Sequence, residues 1–471
     1  MKKQLLPLLV LATTLVGLVG CSGKKDDPSS VPGPSDSTPT EPVKPAANAK
    51  TAEKVAYAST RTYEELVELS REEMTGATDT FKVLGLTSML KKAVEQLIKK
   101  YDFLTADNTY VNNGYKDYTL LTALEPAANT YVADFALTQD ERSIADYQET
   151  GILHNFVPSD YKALGLAEED VAPLKGIHFN KIFWTNTNFE TVTGKKLYNI
   201  WQVAGTSEDA DHLAKVSFQS PVTEQINMSF LLSCYAEENQ ARIEKAYKDY
   251  YKKDWSSTKY ASAGEQWVTE FIENISRVHS SDGTAMKETQ LKDDWAEGYV
   301  YFGAYSKMKD AAGKYYAVAG QDKDPILKDL VLTEGDNAGK INAMKTVKWD
   351  WEINGFNGYF YTMDSQIVNN AKFPYTACLF ARYLLEPDFY SNTAYSSSTP
   401  NADGSKGNQY GYYYPGKMDA YGTEGAKVVT NSFDWTKTKW KEVSLVEDFD
   451  YLATVKFAKI TSIQAMFANK K

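Results

Sequence analysis

Cysteine and histidine are scarce in this 471-residue chain, which has three of the first and four of the second. Cys21 closes an N-terminal apolar run, leaving Cys234 and Cys378 in the settings Leu-Leu-Ser-Cys-Tyr and Tyr-Thr-Ala-Cys-Leu. Two cysteines cannot build a disulfide framework, and in apolar, helical contexts they read as buried free thiols, with a single disulfide as the alternative. His154, His178, His212 and His279 are far apart and show no His-Glu-x-x-His or comparable metal spacing. Gly-x-Ser-x-Gly is missing, as is a phosphate-cradling Gly-Lys-Ser/Thr. Asn401-Ala-Asp-Gly404 has a turn composition resembling part of a calcium loop, without the remaining ligand positions, and Asp293-Asp294 reads as a solvated helix face. An enzyme therefore has no positive support, and no cofactor is expected. Positive charge is also in deficit: the net charge is −11, and losing Lys2 and Lys3 with a leader would take it to −13. An acidic surface argues against nucleic acid and against broad adhesion to anionic lipid. There is no internal repeat and no second long apolar run.

What is present begins with Met1–Cys21. Lys2 and Lys3 precede an apolar stretch from Leu5 to Val19, too short to span a bilayer comfortably, and the whole reads as a secretory signal over residues 1–20. Leu18-Val19-Gly20-Cys21 matches the lipobox of bacterial lipoproteins, which implies cleavage before Cys21 and acylation of its thiol, with palmitate-type chains holding the protein to a membrane. An ordinary cleaved signal with a chance cysteine is the alternative. Residues 21–58 carry Pro28, Pro32, Pro34, Pro39, Pro42 and Pro45 among small polar residues and read as a disordered tether.

The whole chain, at 43 % hydrophobic and 24 % charged, has an ordinary globular composition, with 32 Tyr and 9 Trp in excess of what a core requires. Thr62 is placed to cap a helix ending at Gly76, Phe81–Leu84 reads as a strand, and Met89–Tyr101 as a helix. Strands are predicted at Leu104–Val111, Thr130–Leu137, Ile177–Thr185, Lys215–Gln219 and Tyr299–Gly303. Helices are predicted at Thr119–Asn129, Gln225–Glu238, Asn239–Lys253, Gly264–Val278, Phe373–Leu385 and Asp448–Phe467, with Thr346–Tyr361 extended. Alternation of helix and strand predicts an α/β fold with a largely parallel sheet. Ser391–Gly425 reads as a long loop rich in Tyr and Gly.

The order of these pieces resembles the extracellular solute-binding proteins of ABC importers, in the iron(III)-type group. The resemblance rests on Thr62-Tyr-Glu-Glu-Leu-Val-Glu-Leu-Ser-Arg-Glu-Glu73, Phe81–Ser88, Tyr131-Val-Ala-Asp-Phe135 with Gln139-Asp140, and Gly151-Ile-Leu-His-Asn-Phe156. It continues with Trp184-Thr-Asn-Thr187, Asn199-Ile-Trp201, Ala296-Glu-Gly-Tyr-Val300 and Lys372-Phe-Pro-Tyr-Thr-Ala377. It implies a two-lobe, type II periplasmic-binding-protein-like α/β fold with a ligand cleft between the lobes. Lobe 1 would span residues 59–175 and return over 341–390, lobe 2 would span 176–340, and 391–471 would form the Tyr-rich loop and a closing helix. The implied function is a membrane-tethered, monomeric, non-enzymatic receptor that captures a small molecule or ion and delivers it to an ABC permease. A surface carbohydrate- or protein-binding lipoprotein is the alternative, and iron, another ion, a polyamine and a sugar all stay open as ligand.

Ligands of open α/β sheets gather beyond the carboxyl ends of strands, where helix N-termini offer unpaired N–H groups. That rule selects Thr87 and Ser88, with helix capping as the competing role. It also selects Gln139 and Asp140, against a solvated loop. Trp184 and Asn186 lie at the crossover, with core packing as the alternative for Trp184. Ser220, Thr223, Glu224 and Asn227 surround a strand-to-helix turn, where capping again competes. Tyr299 and Tyr301 are phenol donors of the kind iron(III) binders of the family use, but their alternation puts them on one sheet face and favours packing.

Overall fold

The computed structural model describes residues 42–139, 141–290, 297–305, 347–348, 352–386, 437–455, 457–468 and 470. All elements below belong to the unit Val43–Lys471. The signal stretch with Cys21, Asp140, Asp293-Asp294, Asn401–Gly404 and the Tyr-rich loop lie outside the described residues.

Helix α1 (Thr51–Ala58) occupies the last residues of the stretch read as tether, because Val55 and Ala58 are apolar at helical spacing and become buried. Helix α2 (Tyr63–Met74) starts as predicted in a capping box: the Thr62 hydroxyl accepts from Glu65 N, and the Glu65 carboxylate accepts from Thr62 N. Gly76 follows it at φ +71°. Strand β1 (Phe81–Gly85) leads into α3 (Ser88–Lys100). Strand β2 is only Thr109–Asn112, since the Asn108 side chain folds the preceding residues into a turn by accepting from Thr105 N and donating to Phe103 O. Next come α4 (Asp117–Leu124), β3 (Phe135–Thr138), α5 (Glu141–Glu149) and β4 (Leu153–His154). The long strand β5 (Lys175–Asn186) then crosses the molecule.

The second half contains α6 (Phe189–Thr193), β6 (Val216–Gln219), α7 (Gln225–Ser233), α8 (Glu237–Tyr251) and α9 (Ala263–Asn274). The helix predicted to Val278 stops at Asn274. Residues Ile275–His279 form β7 instead, pairing in parallel with β6, so a strand partner overrides the helical spacing of Ile275 and Val278. Then follow α10 (Asp282–Gln290), β8 (Val300–Ala304), β9 (Val347–Lys348) and the second long strand, β10 (Gly358–Val368). Helix α11 (Pro374–Tyr383) has all ten residues buried, as a sequence apolar almost all round predicts, and Arg382 is buried by pairing with Asp160. The chain ends in α12 (Lys437–Val443), β11 (Leu445–Val446), α13 (Phe449–Thr454) and α14 (Phe457–Phe467). One closing helix was expected over Asp448–Phe467; it is interrupted where Val455 turns extended.

The strands make one mixed sheet in the order β2-β1-β3-β10-β5-β8-β6-β7. The flanks are parallel: β1 with β2 and β3, and β6 with β7 and β8. The centre is antiparallel, which corrects the expectation of a largely parallel sheet: β10 runs against β3 and β5, and β5 against β8. Thus β5 and β10 are a paired bridge between two parallel flanks. Gly358 belongs to this bridge for steric reasons, because a Cβ there would lie 1.9 Å from Lys181 O. Phe81, Phe135 and Phe380 pack the first flank. Phe218, Phe230, Phe271, Phe302 and Trp267 pack the second.

Candidate functional site

The parallel strands of both flanks point their carboxyl ends at one cavity of about 270 Å³. Leu86 and Thr87 follow β1, Gln139 follows β3, and Tyr115 and Lys116 precede α4. From the other side come Gln219 at the end of β6, Glu224 in the next turn, Ser281, Asp282 and Gly283 after β7, and Ala304 at the end of β8. The bridge supplies the floor, where Phe179 of β5 stacks on Tyr361 of β10 (centroids 5.5 Å apart, planes at 16°) beside Met363. This is where an open α/β sheet presents helix starts and loop side chains to a ligand.

The cavity's charge lies on its second-flank side. Lys181, on the same face of β5 as Phe179 by two-residue alternation, is 1 % exposed. Its Nζ lies 3.2 Å from Glu224 Oε1 and 3.5 Å from Asp282 Oδ2. Gln219 Nε2 donates to Glu224 Oε2 and to Ser280 O, each at 3.3 Å. Gln219 Oε1 and Asp282 Oδ1 are buried with no hydrogen-bond partner among the described residues. Behind them, His279 Nδ1 lies 3.0 Å from Ser217 Oγ, and burial pushes the imidazole down to about 4, so it is neutral at physiological pH. Among the described residues the first-flank side is polar but uncharged inside: the Thr87 hydroxyl caps α3 by accepting from Met89 N at 3.3 Å, and Gln139 is buried. Lys116 sits exposed at the rim. On the second flank, Ser281 Oγ takes the matching cap role, accepting from Thr284 N at 3.1 Å.

Of the residues selected from sequence, Thr87, Gln139 and Glu224 come together at the cavity. Ser88 begins α3, and Asp140 lies outside the described residues. Ser220 and Thr223 shape the turn that carries Glu224: Ser220 Oγ accepts from Val222 N, and Thr223 Oγ1 donates to Ser220 O. Asn227 is buried beneath this turn and donates to Gln219 O at 2.9 Å. Trp184 is core, its indole N–H donating to Thr289 Oγ1 at 2.8 Å, and Asn186 donates to Thr289 O at 2.6 Å. Tyr299 and Tyr301 lie side by side, rings 6.0 Å apart, at the amino end of β8, whereas the cavity takes Ala304 at its carboxyl end. Both Cys234 and Cys378 are buried free thiols, as expected.

Sequence reasoning missed Phe179, Lys181, Gln219, Ser281, Asp282 and Tyr361. Ser280-Ser281-Asp282-Gly283-Thr284 carries a turn-and-cap composition that marks a strand-to-helix junction once β7 is recognised as a strand. Lys181 carries no such signal. Among the described residues no group of three or more His, Cys, Asp or Glu is placed to hold a metal ion.

No family model matches this sequence, and no curated protein does. Several solved structures match its fold. An ABC transporter substrate-binding protein from Bradyrhizobium japonicum USDA 110 is 10 % identical, with a TM-score of 0.50 over 83 % of this chain and 100 % of its own. The periplasmic binding protein P5PA is 12 % identical, with a TM-score of 0.50 over 83 % of this chain and 100 % of its own. The PBP MotA from A. tumefaciens B6, solved with glucopine, is 10 % identical, with a TM-score of 0.50 over 82 % of this chain and 99 % of its own. At such identities the likeness is one of fold: the chain has the two-lobe α/β fold of periplasmic binding proteins.

Proposed function

We propose that the protein is a solute receptor that captures a small ligand between its two lobes and hands it to an ABC permease without chemical turnover. The observation that carries this reading is the placement of the cavity. It collects the carboxyl ends of parallel strands from both flanks over a two-strand bridge, so a ligand touching Thr87 and Gln139 on one side and Gln219, Glu224 and Asp282 on the other is held by both. Closing the flanks about β5 and β10 excludes water and strengthens each polar contact inside. In this reading lobe 1 is 59–175 with its return over 341–390, and lobe 2 is 176–340. Thr87, Gln139 and Glu224 contact ligand directly, while Ser220, Thr223 and Asn227 hold the Glu224 turn in place.

The N-terminal stretch completes the proposal. Acylation of Cys21 and a proline-rich tether keep the receptor outside the cytoplasm and near its permease, raising the effective concentration for docking. Metabolic labelling with an alkynyl palmitate analogue is expected to tag the protein and to fail on Cys21→Ser.

Receptor function is tested by small-angle scattering and thermal unfolding across a broad metabolite panel. A ligand at a hundred times its Kd is expected to add about 2.7 kcal/mol of stability and to shrink the radius of gyration. A shape and melting point indifferent to the whole panel would overturn the proposal.

A further inference from the structure

We infer that the ligand is a small organic cation bearing a primary ammonium group, which the second-flank side of the cavity binds through Asp282, Glu224 and the Gln219 carbonyl. This rests on the receptor reading above and adds the chemical class. Among the described residues the charges inside the cavity are two carboxylates and one ammonium, and Lys116 stands exposed at the rim. Lys181 is buried and within 3.5 Å of both carboxylates, so its charge is already engaged and, among the described residues, one negative charge inside is left without a buried cation. An excess charge in a site of low dielectric favours a ligand of opposite sign and opposes one of like sign.

The open hydrogen-bonding capacity has the same polarity. Gln219 is 4 % exposed, and its Nε2 is committed to Glu224 and Ser280 O while its Oε1 has no partner among the described residues. Asp282 Oδ1 is likewise open. Two buried acceptors and a partly shared carboxylate suit a group with several N–H donors, and an ammonium has three. The floor of Phe179, Tyr361 and Met363 suits the carbon body of such a ligand, and an aromatic face attracts a cation. The helix starts do not reverse this polarity. Thr87 and Ser281 already cap α3 and α10, and Asp282 sits in the first turn of α10, where it offsets the helix dipole. A bare metal ion is disfavoured because no three-ligand cluster stands at the cavity among the described residues.

The test is calorimetric titration of the full chain with four probes of matched length: butane-1,4-diamine, 4-aminobutyrate, butyrate and butane-1,4-diol. The diamine is expected to bind, with butyrate and the diol weaker by about 30-fold or more. Asp282→Asn is expected to weaken diamine binding by about 30-fold or more, the fold-change equivalent of removing one partner from a buried charged contact. Gln219→Leu is expected to weaken it about tenfold, and circular dichroism checks that both variants are folded. Equal or tighter binding of butyrate or the diol, no binding of any probe, or an Asp282→Asn variant that binds the diamine normally would each overturn the inference. Scattering separates this failure from failure of the receptor reading. If another metabolite compacts the protein, the receptor stands and only the ligand class falls; if nothing compacts it, both fall.

Discussion

Each flank of the sheet buries carboxylates, but the two flanks use them differently. In the first, Asp134 accepts from Lys82 N, Lys372 N, Phe373 N and the Tyr131 hydroxyl. Glu73 accepts from Tyr375 N, Thr376 N and Thr376 Oγ1, serving the start of α11, where Phe373 has no side chain able to cap. These acids stitch backbone together. In the second flank, Glu224 and Asp282 share Lys181, Glu224 also accepts from Gln219, and both open onto the cavity, with Asp282 Oδ1 left over. A buried carboxylate with many backbone donors holds structure; one with a shared cation and a spare oxygen is available to a ligand.

The most damaging way to break the comparison is to break the bridge that both flanks share. Gly358→Ala sets a methyl group against Lys181 O, and neither strand can move without dragging its flank. We expect a loss of about 3 kcal/mol or more in urea unfolding, at the upper end of overpacking costs; an unchanged midpoint would show that the bridge yields. Lys181→Met acts on the second flank alone. It leaves Glu224 and Asp282 facing each other without their cation, and because both keep some solvent contact the expected loss is about 3 kcal/mol. Adding Glu224→Gln to that variant should recover part of the loss, and a double variant no more stable than Lys181→Met would deny the coupling.

What was readable from sequence divides along the same line of local against distant cause. The Thr62–Glu65 box, the strand at Phe81 and the buried helix after Phe373 follow from neighbours a few residues away, and all three appear where predicted. The bridge strand β10 was recognised only as far as Tyr361. Beyond it, Thr362, Asp364, Ser365 and Gln366 are polar yet buried, and their partners arrive from remote chain: Glu447 for Thr362 N and Gln148 for Gln366. At the cavity, Thr87, Gln139 and Glu224 were legible as neighbours of strand ends, because a strand end is a local signal. Lys181 was not, since a lysine inside an apolar strand acquires meaning only when Glu224 and Asp282 fold back onto it. Antiparallel pairing at the centre is equally a long-range result, set by the direction in which β5 and β10 cross.

The flanks should also part company with pH. His279, in the second, is held well below an ordinary imidazole, at about 4, by burial. A depressed histidine contributes stability above its unfolded value near 6.5 and loses it as pH falls toward 4, by on the order of 2–3 kcal/mol. Glu73, in the first, is raised to about 8 by burial despite its three donors. A raised carboxyl contributes stability below its unfolded value near 4.5 and loses it as pH rises through about 8; since Glu73 keeps some surface, the expected loss is on the order of 2 kcal/mol. Denaturation at a series of pH values should therefore show an acid arm removed by His279→Gln and an alkaline arm removed by Glu73→Gln. Either arm surviving its own substitution would reassign it.

The smallest effect gives the finest comparison. Thr87 and Ser281 occupy equivalent positions, each accepting one N–H at the start of the helix that follows a parallel strand. Thr87→Ala and Ser281→Ala should each cost about 1 kcal/mol of stability, as a lost cap does. Their effects on ligand need not match. Among the described residues the Thr87 O–H has no acceptor after capping, on the flank that supplies no buried charge to the cavity. Ser281 Oγ already lies 3.0 Å from Thr284 Oγ1. If capture begins at the charged flank and is completed by the neutral one, Thr87→Ala should weaken the ligand-induced compaction seen by scattering more than Ser281→Ala does, at equal loss of melting temperature. Equal loss of compaction would mean that the two turns act only as caps, and that the difference between the flanks resides in their carboxylates alone.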